Sequence, residues 1–337
     1  MAVHATRGAL PMMALLFGAN ATAWWWAWWI GGSQPLFLGT CLLAYGLGLR
    51  HAFDADHIAG IDNVTRSLTN DRGAPVTVGL WFALGHSTVV VSACAAVALT
   101  IGLPHAWLPQ LQRWGTSGGA MFSALFLCLA AGVNAVSLLA MLRARRGGGA
   151  PHASSRGWLS TAVKPLLRWV SRPWQTVFVG LLFGLGFDTA SEVGLLGLYV
   201  GTAPHALSPG SMMVLPLLFT AGMSLADGAD GALMARAYGW ALARPQRRLA
   251  YNMIVTSLSI IAAVVVAMIE AGKLVRDHYV LRGGVWNLIV WTSNRSALLG
   301  SLVLAILLGC WVVVRFGRFD TPRPARGAEA VPRVDGK

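Results

Sequence analysis

From Gly8 to Leu49 the chain carries no charged residue, and no other feature restricts its fold as strongly. A membrane-crossing helix takes about 20 apolar residues. The stretch is therefore long enough for two, and Gly31-Gly32-Ser33-Gln34-Pro35 divides it. The first span closes on Trp24-Trp25-Trp26 and Trp28-Trp29, aromatic residues suited to lipid headgroups. It follows a single arginine and has no clear small-residue cleavage site, so it reads as a retained helix and not a signal peptide. A second span covers 36–62. Further apolar runs near 77–103, 118–142, 174–200, 212–236, 249–271 and 297–315 bring the expected number to eight. The expectation is an all-α, multi-pass membrane protein, with one transmembrane domain over 1–317, a solvated loop at about 143–173 and a disordered tail at 318–337.

Charge sets the orientation. The chain has 26 Lys+Arg against 13 Asp+Glu, a formal net charge of +13, which in a soluble protein would suggest a nucleic-acid partner. Here the basic residues fall in short segments between apolar runs, which argues against nucleic acid. With the N-terminus inside, twenty of them lie on the cytoplasmic side and five outside, placing both termini in the cytoplasm. Cys41, Cys94, Cys128 and Cys310 sit inside apolar runs without C-x-x-C spacing, so neither a disulfide framework nor a thiolate metal site follows.

The acidic residues are placed where a purely structural membrane protein would not put them. Asp54, Asp56, Asp62, Asp188, Glu192, Asp227, Asp230 and Glu270 lie within or at the ends of apolar runs. Each costs about 2.5–3.5 kcal/mol at a helix centre. Among the basic residues only Arg50 is clearly inside with them. Ion pairing cannot neutralise that surplus, so protons or a metal cation must supply the positive charge.

The densest cluster is Arg50-His51-Ala52-Phe53-Asp54-Ala55-Asp56-His57. Two imidazoles beside two carboxylates suit borderline divalent metals such as Ni²⁺, Co²⁺ and Zn²⁺. On a regular helix His51, Asp54 and Asp62 share a side and Asp56 points away from His51. Either the helix is distorted, or the two sets face different partners. Asp188 and Glu192 are four apart and Asp227 and Asp230 three apart, so each pair shares a helix face. His86, in Gly85-His86-Ser87-Thr88, is a candidate further ligand or orienting group, with Ser87 beside it. His51 lies about 22 Å along its span from Leu36, and Asp188 about 21 Å along the fifth from Trp174. Both depths fall near the middle of a bilayer.

A faint internal echo links the two halves. Phe53-Asp54-Ala55-Asp56 resembles Phe187-Asp188-Thr189-Ala190, and Phe82-Ala83-Leu84-Gly85-His86-Ser87 resembles Phe219-Thr220-Ala221-Gly222-Met223-Ser224. The paired spans run in opposite directions, which suggests an inverted repeat relating spans 2–3 to spans 5–6, a common plan in secondary transporters.

These residues also resemble a known family. Leu49-Arg50-His51-Ala52-Phe53-Asp54-Ala55-Asp56-His57-Ile58 is similar to the H-x4-D-H signature of the nickel/cobalt permeases (NiCoT). Leu84 to Val90, Leu185 to Glu192 and Gly222 to Gly231 resemble that family's motifs in spans three, five and six. The resemblance covers about 36–315. It implies import of Ni²⁺ or Co²⁺, as transported substrate with no cofactor, across a bacterial cytoplasmic membrane, and it maps metal recognition onto His51, Asp56 and His57. Two positions depart from the family pattern: Gly228 replaces a common Thr, and Ser191 replaces another Thr while keeping the hydroxyl.

The expected protein is therefore a secondary permease in which His51, Asp56 and His57 recognise the ion. Asp54, Asp188, Glu192, Asp227 and Asp230 compensate or relay charge, while Arg50, Asp62, His86 and Ser87 support them. No Gly-x4-Gly-Lys-Ser/Thr motif points to ATP coupling. The first rival, an intramembrane metal-dependent hydrolase, lacks H-E-x-x-H and G-x-S-x-G. The second, a proton-coupled carrier of another substrate, leaves the paired imidazoles without a task.

Overall fold

The computed structural model describes residues 8–72, 75–99, 108–146, 170–185, 211, 213–242 and 245–316. Among these residues the protein is all helical. The helices are α1 (Ala9–Gly31), α2 (Pro35–Ala52), α3 (Ala55–Arg72), α4 (Val78–Leu99) and α5 (Leu108–Arg146). After a 3₁₀ turn at Pro173–Gln175 come α6 (Thr176–Phe183), α7 (Val214–Leu242), α8 (Pro245–Tyr279), α9 (Gly284–Ser293) and α10 (Ser296–Phe316).

The boundaries follow local chemistry. The Gly32 N–H bonds back to Trp28 O at 2.8 Å and closes α1. Pro35 opens α2, where a missing N–H costs nothing. The second expected span is in fact two helices. Phe53 N–H bonds to Arg50 O at 3.1 Å and Asp54 N–H to His51 O at 2.9 Å, tight last-turn bonds that end α2. Ile58 N–H then takes the Asp54 carbonyl at 3.2 Å and starts α3. The two helices meet at 52°. Of the two alternatives left by the sequence, the distorted helix is the one found.

The α7 helix is central and packs on α1, α2, α3 and α4; α4 also packs on α6, α5 on α8, and α10 on α3. Glycines allow the closest crossings. A Cβ on Gly48 of α2 would lie 2.1 Å from Phe219 O of α7, and one on Gly85 of α4 would lie 1.9 Å from Val177 O of α6. Such small-residue contacts let backbones touch where lipid provides no hydrophobic drive between helices. Polarity is inverted relative to a soluble protein. His51, Asp54, His57, Asp62, His86, Asp227 and Asp230 are buried, while Leu10, Trp29, Leu36, Phe178 and Leu298 are exposed. A lipid solvent requires this distribution.

Among the described residues, four helical stretches are long and apolar enough to cross a membrane: Val78–Ala96, Ser117–Arg143, Asn252–Tyr279 and Ser296–Val313. The bent α2–α3 pair makes a fifth. The shortfall from eight has physical reasons. The α1 helix carries five tryptophans and α7 carries Asp227 and Asp230, which lower their hydropathy. Only the first part of the fifth run, to Leu185, lies within the described residues. Most of the 143–173 loop and all of the 318–337 tail lie outside them.

Candidate metal site

The break between α2 and α3 builds the site. Six residues of regular helix rotate about 600°, which would leave His51 and His57 pointing about 120° apart. The 52° bend at Phe53-Asp54 instead brings their rings to a centroid separation of 4.7 Å. His86 of α4 joins them, at 4.8 Å from His51 and 4.7 Å from His57. Each of the three offers a ring nitrogen, and these nitrogens all lie within 4.8 Å of one another. The closest pair, His51 Nε2 and His86 Nε2, is 3.0 Å apart. Exposure of the three residues is 2%, 0% and 1%. Imidazoles hold a divalent ion at about 2.0–2.1 Å, so a small inward adjustment would allow all three to share one.

Carboxylates stand behind two of these rings. Asp54 Oδ2 is 3.2 Å from His51 Nδ1. Asp54 also accepts the Ser296 hydroxyl of α10 and lies 3.8 Å from Arg50 Nη2. Asp227 of α7 places both oxygens 3.4 Å from His57 Nδ1. A carboxylate on Nδ1 fixes the ring's orientation and tautomer and makes Nε2 a better donor. With His51 this leaves Nε2 toward His86. Phe82 and Phe219 pack edge-on or tilted against His57 and His51, giving the imidazoles apolar walls.

The remaining candidates are distributed unevenly. Asp56 is half-buried, and its Oδ1 accepts the His57 backbone N–H at 2.9 Å, in the first turn of α3 where an acid suits the helix dipole. The sequence grouped Asp56 with the two histidines and named His86 as a further candidate; the structure brings the His86 ring against both histidines. Asp62, five residues past His57 on α3, and Asp230, three past Asp227 on α7, are buried, and Ser87 is buried next to His86 with no hydrogen-bond partner for its hydroxyl among the described residues. Asp188 and Glu192 lie outside the described residues. Arg50, expected to be the internal arginine, has a side chain 47% exposed, whereas Arg66 is 7% exposed. It is Arg66 that is internal, because α3 continues to Arg72 past the expected end of its span.

Sequence reasoning also missed Ser296 and Tyr238. Tyr238 donates its hydroxyl to Asp62 and carries the Arg66 guanidinium over its ring at 4.5 Å. The i, i+4 spacing of Asp62 and Arg66 was a usable signal for that pair. Nothing local marks Ser296 or Tyr238, which arrive from distant helices. At Gly228, the position departing from the family pattern, an added Cβ would lie 2.6 Å from Leu16 Cδ1, so α1 occupies the space of the missing side chain.

Over residues 37–315 the chain matches the NicO family, described as high-affinity nickel-transport protein. It is 43% identical over 323 residues to the high-affinity nickel transport protein of Cupriavidus necator, covering 92% of each chain. With the nickel transporter NixA of Staphylococcus aureus it shares 36% identity over 324 residues, covering 92% of this chain and 95% of the relative. With the cobalt transport protein NhlF of Rhodococcus rhodochrous it shares 42% over 241 residues, 68% of each. No solved structure matches it. By the length of these matches, the chain belongs to the NicO family of high-affinity nickel-transport proteins.

Proposed function

We propose that the protein is a secondary permease importing Ni²⁺, Co²⁺ or both across a bacterial cytoplasmic membrane. The observation that carries the reading is the convergence of His51, His57 and His86 from three helices into one buried cluster. In this reading the three imidazoles hold the ion, while Asp54 and Asp227 set the His51 and His57 rings and offset the dication's charge. Asp56, Asp188, Glu192 and Asp230 add negative charge to the path, and Arg50, Asp62 and Ser87 support it. Residues 1–317 form one domain of eight spans, with both termini cytoplasmic and an inverted repeat relating spans 2–3 to 5–6. An inside-negative potential favours entry of a 2+ ion by roughly 4.6 kcal/mol per 100 mV.

Membership in a family of transporters, together with the lack of H-E-x-x-H, argues against the intramembrane hydrolase. The imidazole cluster argues against a carrier that moves protons with an organic substrate. The test is ⁶³Ni²⁺ uptake into cells expressing the chain, with unlabelled Co²⁺, Zn²⁺ and Mn²⁺ as competitors. Saturable uptake that Co²⁺ suppresses and Mn²⁺ does not is expected. Uptake no greater than in cells lacking the chain refutes the reading.

A further inference from the structure

The imidazole triad is one end of a longer run of buried polar groups, and the rest follows α3 toward Arg72, the end that the charge count assigns to the cytoplasm. Asp230 lies three residues beyond Asp227 on α7. It is 4% exposed, and among the described residues neither of its carboxylate oxygens has a hydrogen-bond donor. Two more acids stand close by: Asp227, one turn back on its own helix, and Asp62 on α3, whose chain neighbour Ile61 packs against Gly231. The helices are pressed together beside it: a Cβ on Gly231 would lie 2.7 Å from Gly79 N and 3.6 Å from Ile61 Cγ2. A buried carboxylate without a donor and close to other acids has to take up either a proton or a metal cation.

Asp62 has a partner instead. Tyr238 donates its hydroxyl to Asp62 Oδ1. Arg66 lies over the Tyr238 ring and donates through Nη1 to Thr256 Oγ1 at 2.6 Å. On the far side of this group, a cavity of about 20 Å³ is lined by Thr69, Asn134, Ser137 and Asn252 together with Arg66 and Tyr238, and it has room for about one water.

We propose that Asp230 and Asp62 form a second station for the transported divalent cation, cytoplasmic to the imidazoles, and that Tyr238 and Arg66 latch it shut. This rests on the transport reading above. When the station is empty, the Tyr238 hydroxyl occupies Asp62. A cation leaving the imidazoles displaces that hydroxyl and takes oxygens from both acids. Oxygen donors hold nickel or cobalt less firmly than imidazole, as a release site requires. Return of the Tyr238 hydroxyl to Asp62, beside the fixed charge of Arg66, then sends the ion into the adjoining cavity.

The test uses the full chain, purified and reconstituted in liposomes under a potassium diffusion potential, with ⁶³Ni²⁺ uptake measured beside Ni²⁺ binding in detergent. Asp230→Asn and Asp62→Asn are expected to keep binding within about threefold of the parent while uptake falls at least about tenfold. His57→Ala is expected to lose both. Tyr238→Phe keeps the ring under Arg66 and removes only the hydroxyl; slower release should lower Vmax and KM together, by a few-fold each. Parental uptake in either Asn variant overturns the station. So does loss of binding as complete as in His57→Ala, which would make these acids part of the imidazole site. Unchanged kinetics in Tyr238→Phe overturns the latch, and this variant decides the matter if an Asn variant does not fold. Failure of the transport reading looks different: the parent chain itself then neither binds nor imports the metal.

Discussion

His86 is the residue whose weight changes most between sequence and structure. The cluster at 50–57 is visible because its members are neighbours in the chain, whereas His86 lies on another helix and meets His51 only through folding. The pattern H-x4-D-H drew attention to Asp56, whose Oδ1 accepts the His57 backbone N–H. His86→Ala is therefore expected to reduce ⁶³Ni²⁺ uptake at least about tenfold, as severely as His57→Ala. Asp54→Asn removes charge from behind His51 while leaving an oxygen for Ser296, and should weaken Ni²⁺ binding by about 10–100-fold. A titration of purified protein with Ni²⁺ distinguishes that from the smaller effect of Ser296→Ala, which deletes a single hydrogen bond. Buried acids legible as an unexplained surplus in the sequence now have distinct settings: Asp54 and Asp227 face histidines, Asp62 faces a tyrosine, and Asp230 has no donor among the described residues.

At the scale of the helices, the sequence left two possibilities near Phe53: a distorted helix, or two sets of side chains facing different partners. It could not show where the turn falls, since the tight bonds at Phe53 and Asp54 depend on packing from other helices. One such contact is Gly300 of α10, where an added Cβ would lie 2.0 Å from Phe53 O. The glycine crossings also carry a prediction. Gly85→Ala would force α4 away from α6, because the new methyl meets the Val177 carbonyl at 1.9 Å. It is expected to abolish the monodisperse peak in detergent size-exclusion chromatography. Gly39→Ala, with nothing within 4 Å, should leave that peak unchanged.

For the whole molecule, helical class was legible from apolar run lengths alone. Span number was less so, because helices that line a polar interior give up the hydropathy by which spans are counted. That is why α7, at the centre of the bundle, falls short of the apolar criterion. The proposed orientation is open to labelling in intact cells. A cysteine replacing Asp277, near the end of α8, should react with a membrane-impermeant maleimide. One replacing Arg143 should react only after permeabilisation; the reverse pattern would invert the topology. Of the native thiols Cys41 and Cys94 are buried, whereas Cys128 is exposed and Cys310 half-buried, so the labelling parent carries Cys128→Ala and Cys310→Ala. The Gly300 contact has a mechanical consequence at this scale. With α10 seated on the Phe53 carbonyl and its Ser296 gripping Asp54, the elbow between α2 and α3 cannot straighten or fold further unless α10 swings with it. Tethering α10 to α3 should therefore stall the turnover cycle while ions are still captured.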